Sequence, residues 1–183
     1  MNSNLKETIY LYSFLAIMAI LSSSMTSLLL ESFIGTANAA TMQVCFTPGE
    51  DCQGLIASQI DKAKSKIYVQ AYHLTNKAII TALKQAQYKG VTILLIVDKQ
   101  AKKEAINLLD EGFNVMIDKK PRIAHNKVMI IDDKTVITGS FNFTQAAQKS
   151  NAENVLIIED SKIAKLYEDN FFKREHLSKR VEE

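Results

Sequence analysis

Ile123-Ala124-His125-Asn126-Lys127-Val128-Met129-Ile130-Ile131-Asp132-Asp133-Lys134-Thr135-Val136-Ile137-Thr138 is the stretch on which the reading of this chain turns. Ile123 to Ile131 and Thr135 to Thr138 are rich in β-branched residues, and only Asp132-Asp133-Lys134 separates them, which is hairpin length. Two antiparallel neighbours are therefore predicted. Side chains two apart on a strand share a face, so His125 and Lys127 should project together toward one side of a sheet.

Upstream, the pattern alternates between helix and strand. Leu55 to Ala63 and Lys77 to Lys89 carry apolar residues at helical spacing, and Lys66 to Tyr72 between them reads as a strand. Gly90 stops the second helix. Val91 to Val97 is apolar enough for a strand covered on both faces. Lys102 to Glu111 repeats the helical pattern up to Gly112, and Asn114 to Ile117 is a short strand before Asp118-Lys119-Lys120-Pro121 breaks it. Downstream, Glu153 to Glu159 is another strand. Ser161 to Glu175 is a helix whose inner face carries Ile163, Ala164, Tyr167 and Phe171. The charged tail from Lys173 to Glu183 is expected to be a solvated helix end. The sum is an α/β domain, a mixed β-sheet flanked by helices on both faces, without internal repeat or second domain.

The 183 residues are 47% apolar and 23% charged, enough for one core, and the net charge of +2 argues against a dedicated nucleic-acid binder. Ile9 to Leu30 is free of charge and leads to Ala37-Asn38-Ala39, a signal-peptidase pattern. Residues 1–39 thus read as a signal peptide, or as an uncleaved membrane anchor, and residues 40–183 as a single catalytic domain. Cleavage would leave 21 basic and 18 acidic residues, a charge of +3, on a secreted or periplasmic protein. Cys45 and Cys52, the only cysteines, flank a Pro-Gly turn and suit a disulfide in an oxidising compartment, with two free thiols as the alternative. They do not suffice for a zinc site, and no cluster of histidines supplies one, so no metal or other cofactor is expected.

Chemistry concentrates after residue 120. A histidine serves as nucleophile or proton carrier near neutral pH, and a lysine beside it supplies fixed positive charge for phosphate oxygens. Asp132 completes His-x-Lys-x(4)-Asp. Lying an odd number of residues from Lys127 and at the hairpin turn, it is expected to point away and support the site. Gly139-Ser140-Phe141-Asn142-Phe143-Thr144 sets Ser140 and Asn142 at same-face spacing, with a glycine that permits close approach to a ligand. Glu153 opens the next strand and could hold the imidazole of His125 in one tautomer. His176 and the run Lys119, Lys120 and Arg122 read as surface, although the run could steer phosphates. Tyr68, Tyr72 and Tyr88 read as core or interface aromatics.

These residues, His125, Lys127, Asp132, Gly139-Ser140-x-Asn142-x-Thr144 and Asn151-x-Glu153-Asn154, resemble a single-motif member of the phospholipase D superfamily over roughly residues 43–175. Val69-Gln70-Ala71-Tyr72 and Lys89-Gly90-Val91 are weaker echoes, and His73 departs from a position where the family commonly has a small polar residue. The resemblance implies a phospholipase D-like fold and attack of His125 on phosphorus to form a phosphohistidine. Lys127, Ser140 and Asn142 would hold the non-bridging oxygens and Glu153 would orient the histidine. Two-motif members use a second histidine as general acid and then base; with one motif per chain, a homodimer sharing its active site is implied, the partner's His125 serving as acid/base. Export and modest charge favour a secreted phospholipase D that cleaves phosphatidylcholine-type membrane lipids to phosphatidic acid and the head-group alcohol. A sequence-nonspecific, metal-independent endonuclease is the alternative, with nucleic acid as the substrate.

Overall fold

The computed structural model describes residues 40–181. The expected signal peptide or anchor lies outside them, and among the described residues no helix is long and apolar enough to cross a membrane. The described elements run β1 (Thr41–Thr47), α1 (Cys52–Asp61), β2 (Lys66–Ala71), α2 (Lys77–Tyr88), β3 (Thr92–Asp98), α3 (Lys102–Asp110), β4 (Asn114–Asp118), β5 (Lys127–Ile131), β6 (Thr135–Gly139), α4 (Gln145–Lys149), β7 (Glu153–Glu159), α5 (Ser161–Leu177) and β8 (Lys179–Arg180). A 3-10 turn at Lys99–Ala101 leads into α3.

All eight strands form one mixed sheet in the order β1-β7-β6-β5-β2-β3-β4-β8. β2, β3 and β4 are parallel, joined by the helical crossovers that parallel pairing requires, and every other pairing is antiparallel. Strand alternation divides the core between the two faces. Ile67, Val69, Leu95, Val115, Met129 and Ile137 pack with Ile56 and Ile60 of α1, Ile79 and Leu83 of α2 and Leu108 of α3. Tyr68, Ile96, Met116, Val128, Ile130 and Val136 pack with Ala164 and Phe171 of α5. Helices therefore flank both faces of the mixed sheet, which is the α/β architecture that the hydrophobic periodicity predicts.

Four readings need correction. β1 was not foreseen, because its large apolar residues Met42, Val44 and Phe46 are 63%, 53% and 56% exposed at the sheet edge, and its buried residues are Cys45 and Thr47 near its end. The strand expected from Ile123 begins only at Lys127, since the Ala124 N–H turns away to bond the carboxylate of Asp98. The tail is not a solvated helix end throughout: α5 stops at Leu177, and Lys179–Arg180 pair antiparallel with β4. Of the three tyrosines, Tyr68 is the core residue, stacked on Phe171 at 4.9 Å, whereas Tyr88 is 85% exposed and Tyr72 is half-buried beside His125, so the core half of the expectation fails for those two. Cys45 of β1 and Cys52 of α1 are disulfide-bonded, with Cα atoms 5.6 Å apart.

Candidate active site

β5 and β6 are the hairpin of the opening stretch, and they place its two ends far apart. At the turn, Asp132 and Asp133 both take left-handed φ values, 52° and 56°, and the Lys134 N–H donates back to the Ile131 carbonyl. Two consecutive residues with positive φ match the twist of a tight hairpin, and aspartate tolerates that region. Asp132 then turns its carboxylate toward the start of β2. It accepts the backbone N–H groups of Lys64 at 2.7 Å, Ser65 at 2.8 Å and Lys66 at 3.0 Å, and the Ser65 hydroxyl at 2.8 Å. Burial works against its charged form, but the donors of Lys66, Ser65 and Lys64 outweigh it and hold the carboxyl below its usual range. Five strand residues at about 3.3 Å each put Asp132 some ~16 Å from Lys127. Asp132 thus points away from Lys127, as its spacing predicts, and its carboxylate pins the hairpin to β2.

The other end of β5 gathers the chemistry. His125 is exposed, on the segment 119–126 that holds no helix or strand. Lys127 is the first residue of β5 and 6% exposed. Its Nζ lies 2.9 Å from His125 Nδ1 and donates to the His125 carbonyl at 2.8 Å. The two side chains do converge, though His125 is carried by a loop rather than by the strand. Desolvation pushes the Lys127 amine below its usual value, and the negative charge of Glu153 opposes that shift. Tyr72 completes the cluster, its ring 4.6 Å from the His125 ring and 5.2 Å from Lys127 Nζ. It holds the imidazole from one side. The signal that could have found it is the register of β2 and β5, because the Tyr72 N–H bonds the carbonyl of Asn126.

Gly139 ends β6 with a φ of 143°, and a Cβ there would meet the Asn154 carbonyl oxygen at 2.3 Å. The close approach foreseen for this glycine is therefore to β7, not to a ligand. It lets Ser140 meet Glu153 and Asn154. Ser140 Oγ donates to Glu153 Oε2 at 2.5 Å and accepts from the Asn154 backbone and side-chain nitrogens at 3.1 and 3.2 Å. With its donor and both lone pairs engaged, Ser140 buttresses Glu153 in this state and is not free to hold a phosphate. Glu153 has its other oxygen on the Asn151 amide at 3.0 Å, so its hydrogen bonds go to Ser140 and Asn151 and do not include His125. The expected Glu153 to His125 bond is replaced by one from Lys127.

Asn142 keeps a polar atom unspent: its Oδ1 is buried without a hydrogen-bond partner. Rotating the carboxamide by half a turn offers the Nδ2 donor instead, suited to an anionic oxygen. His73, which departs from the family pattern, pairs with Glu104 at 2.8 Å and borders a cleft of about 410 Å³ lined by Leu74, Ile80, Glu104 and Leu108. That cleft contains none of the residues above. Lys119, Lys120 and Arg122 are exposed immediately before His125, and His176 lies in the last turn of α5.

An exposed imidazole with a buried ammonium in contact can pair a nucleophile with charge stabilisation for an anion, and the Asn142 amide just beyond the end of β6 is an unspent group. The family model described as cardiolipin synthase, PLD-like domain matches residues 56–175. A phospholipase D of Rickettsia conorii is 48% identical over 145 residues, covering 77% of this chain and 72% of that protein. The human mitochondrial cardiolipin hydrolase is 28% identical over 127 residues, covering 67% of this chain and 50% of that protein. Among solved structures, the phospholipase D family member Nuc of Salmonella typhimurium superposes with a TM-score of 0.73 at 30% identity, over 79% of this chain and 99% of that one.

Proposed function

Because this chain belongs to the phospholipase D family of PLD-like domains and is a phosphodiesterase, we propose that it is a phospholipase D that cleaves phosphatidylcholine-type lipids to phosphatidic acid and the head-group alcohol. The contact of the buried Lys127 ammonium with His125 carries the reading. A bound phosphodiester draws Lys127 and Asn142 onto its non-bridging oxygens, which releases His125 Nδ1 from the lysine. The imidazole attacks phosphorus, the bond to the head-group oxygen breaks, and that oxygen takes a proton as it leaves. Water then attacks the phosphohistidine at phosphorus, the P–N bond breaks, and phosphatidic acid leaves with the histidine restored. One chain brings one such histidine, so the proton donor is His125 of the partner subunit in a two-fold dimer.

The lipid reading draws on the small net charge of +2 and on the phospholipase D of Rickettsia conorii. The uncharged run Ile9 to Leu30 supports export, after cleavage at Ala37-Asn38-Ala39 or as an anchored form. Lys119, Lys120 and Arg122 favour the second reading, a metal-independent endonuclease. The deciding assay gives purified protein labelled phosphatidylcholine and plasmid DNA in parallel, in EDTA, with His125→Asn as control. Choline release without nicking is expected. Nicking without choline release assigns the endonuclease, and activity that needs a divalent ion sinks the metal-independent mechanism. Mixing His125→Asn chains with wild type tests the dimer, since heterodimers should retain far less than half the wild-type rate.

A further inference from the structure

His125 sits on a segment without secondary structure, so individual hydrogen bonds fix its place. Lys120 N–H donates to Asp118 at 3.2 Å, Lys99 Nζ to the Pro121 carbonyl at 2.9 Å, Ala124 N–H to Asp98 Oδ2 at 2.6 Å and Tyr72 N–H to the Asn126 carbonyl at 2.9 Å. The last two bracket the histidine, one on each neighbouring residue. The Tyr72 bond continues the β2 to β5 ladder. The Asp98 bond has no such origin, because it joins the end of β3 to a residue 26 positions away.

Asp98 is fully buried, at 0% exposure. Its other oxygen accepts the Gln100 N–H at 2.8 Å, which caps the 3-10 turn. A cap alone needs no buried carboxylate, since such residues work at the surface, and burying this group is costly unless its bonds compensate. Its in-register neighbour Asp118 is held by Arg174 of α5 through two bonds of 2.7 Å. The adjacent strand ends are thus tied in two directions, Asp118 to α5 and Asp98 to the loop.

We propose that Asp98 is a positioning residue for His125: through the Ala124 N–H it sets the height of the loop and keeps the imidazole against Tyr72 and Lys127. The proposal rests on the reading of His125 as nucleophile. A nucleophile displaced by about 1 Å loses on the order of a hundredfold in rate while the phosphate contacts survive, so the effect belongs in kcat and not in KM.

The test uses the full chain with bis(p-nitrophenyl) phosphate as substrate and with its histidine rings followed by NMR. Asp98→Asn keeps the size but cannot accept with both side-chain atoms. It should lower kcat by about thirtyfold or more, change KM by less than about threefold, and shift or broaden the His125 ring signal while that of His176 stays in place. Ala124→Pro, which removes the N–H donor of this bond and also fixes φ at residue 124, should lose comparable kcat, and the double variant should be no worse than either single one. Glu168→Gln is the stability control: it breaks the 3.0 Å pair with Lys66 at the far end of β2 and should lower Tm with kcat unchanged. Wild-type kcat in Asp98→Asn, or losses that multiply in the double variant, would overturn the proposal. If Asp98→Asn does not fold, unaltered kcat in Ala124→Pro overturns it by itself. Full activity of His125→Asn would defeat the nucleophile reading instead, whereas an unmoved His125 ring in Asp98→Asn defeats the positioning alone.

Discussion

The two ends of β5 carry polar groups of the same motif and treat them in opposite ways. At the turn, every donor that faces Asp132 is a backbone N–H or the Ser65 hydroxyl, and the carboxylate is saturated. At the other end, Lys127 is buried against its own desolvation, and the Asn142 Oδ1 just beyond the end of β6 is buried without a hydrogen-bond partner. The turn satisfies its carboxylate from within the chain, whereas the Asn142 oxygen is left unspent, which is what the proposed phosphate site requires. The same strand is therefore a staple at one end and a site at the other.

Lys127→Ala should sharpen that comparison most. It removes charge stabilisation at phosphorus, so kcat should fall about a hundredfold or more, with little loss of Tm because the ammonium is held at a desolvation cost. A fall of less than tenfold would return Lys127 to an ordinary structural residue. Gly139→Ala comes next. The positive φ and the contact with the Asn154 carbonyl should cost about 2–3 kcal/mol of stability in denaturant melts, and Ser140 and Glu153 should shift with it. Unchanged stability would show that β6 and β7 can separate at no cost.

Asp132→Asn should break the staple without touching the site: about 1–2 kcal/mol of stability lost and kcat within twofold of wild type. Its pH dependence has a defined sign. The folded carboxyl titrates below its unfolded value, so its stabilisation is present above the unfolded value, about 3.9, and is lost as pH falls through the lower, folded one. Acid unfolding of Asp132→Asn should lack that component, and identical acid limbs would count against it. The smallest effect concerns Lys127, whose amine is lowered in the fold. Burial makes its charged form a cost to folding below the folded value, a cost that disappears as pH rises toward the unfolded value near about 10.4. Activity should decline on an alkaline limb set below that unfolded value, and the limb should be absent from the residual rate of Lys127→Ala. A decline only above it would contradict the lowered amine.

Much of this was legible because it is local. Period-2 and helical runs placed β2 to β7 and α1, α2, α3 and α5 within a few residues, since each buries one face against a neighbour whatever the neighbour is. The pairing of Lys127 with His125 was also legible, as the two are only two residues apart. β1 and β8 were not, because both sit at sheet edges, their large apolar or charged side chains are exposed, and they owe their existence to the backbone of β7 and β4. Glu153 could be marked as belonging to the site, but its partners could not. Which donors reach its carboxylate depends on how closely Gly139 lets β6 approach β7.

The sequence by itself determined the class of the fold, the His125 and Lys127 pair and the family, because each depends on residue type at short spacing. Tertiary structure alone decided which donors hold Asp132, that Ser140 serves Glu153, that Tyr72 flanks the histidine and that Asp98 bonds the loop at Ala124. Each of these is a hydrogen bond or contact between separate elements, made or lost over a few tenths of an ångström. Periodicity carries no information at that scale, and only the packing of the whole sheet sets it.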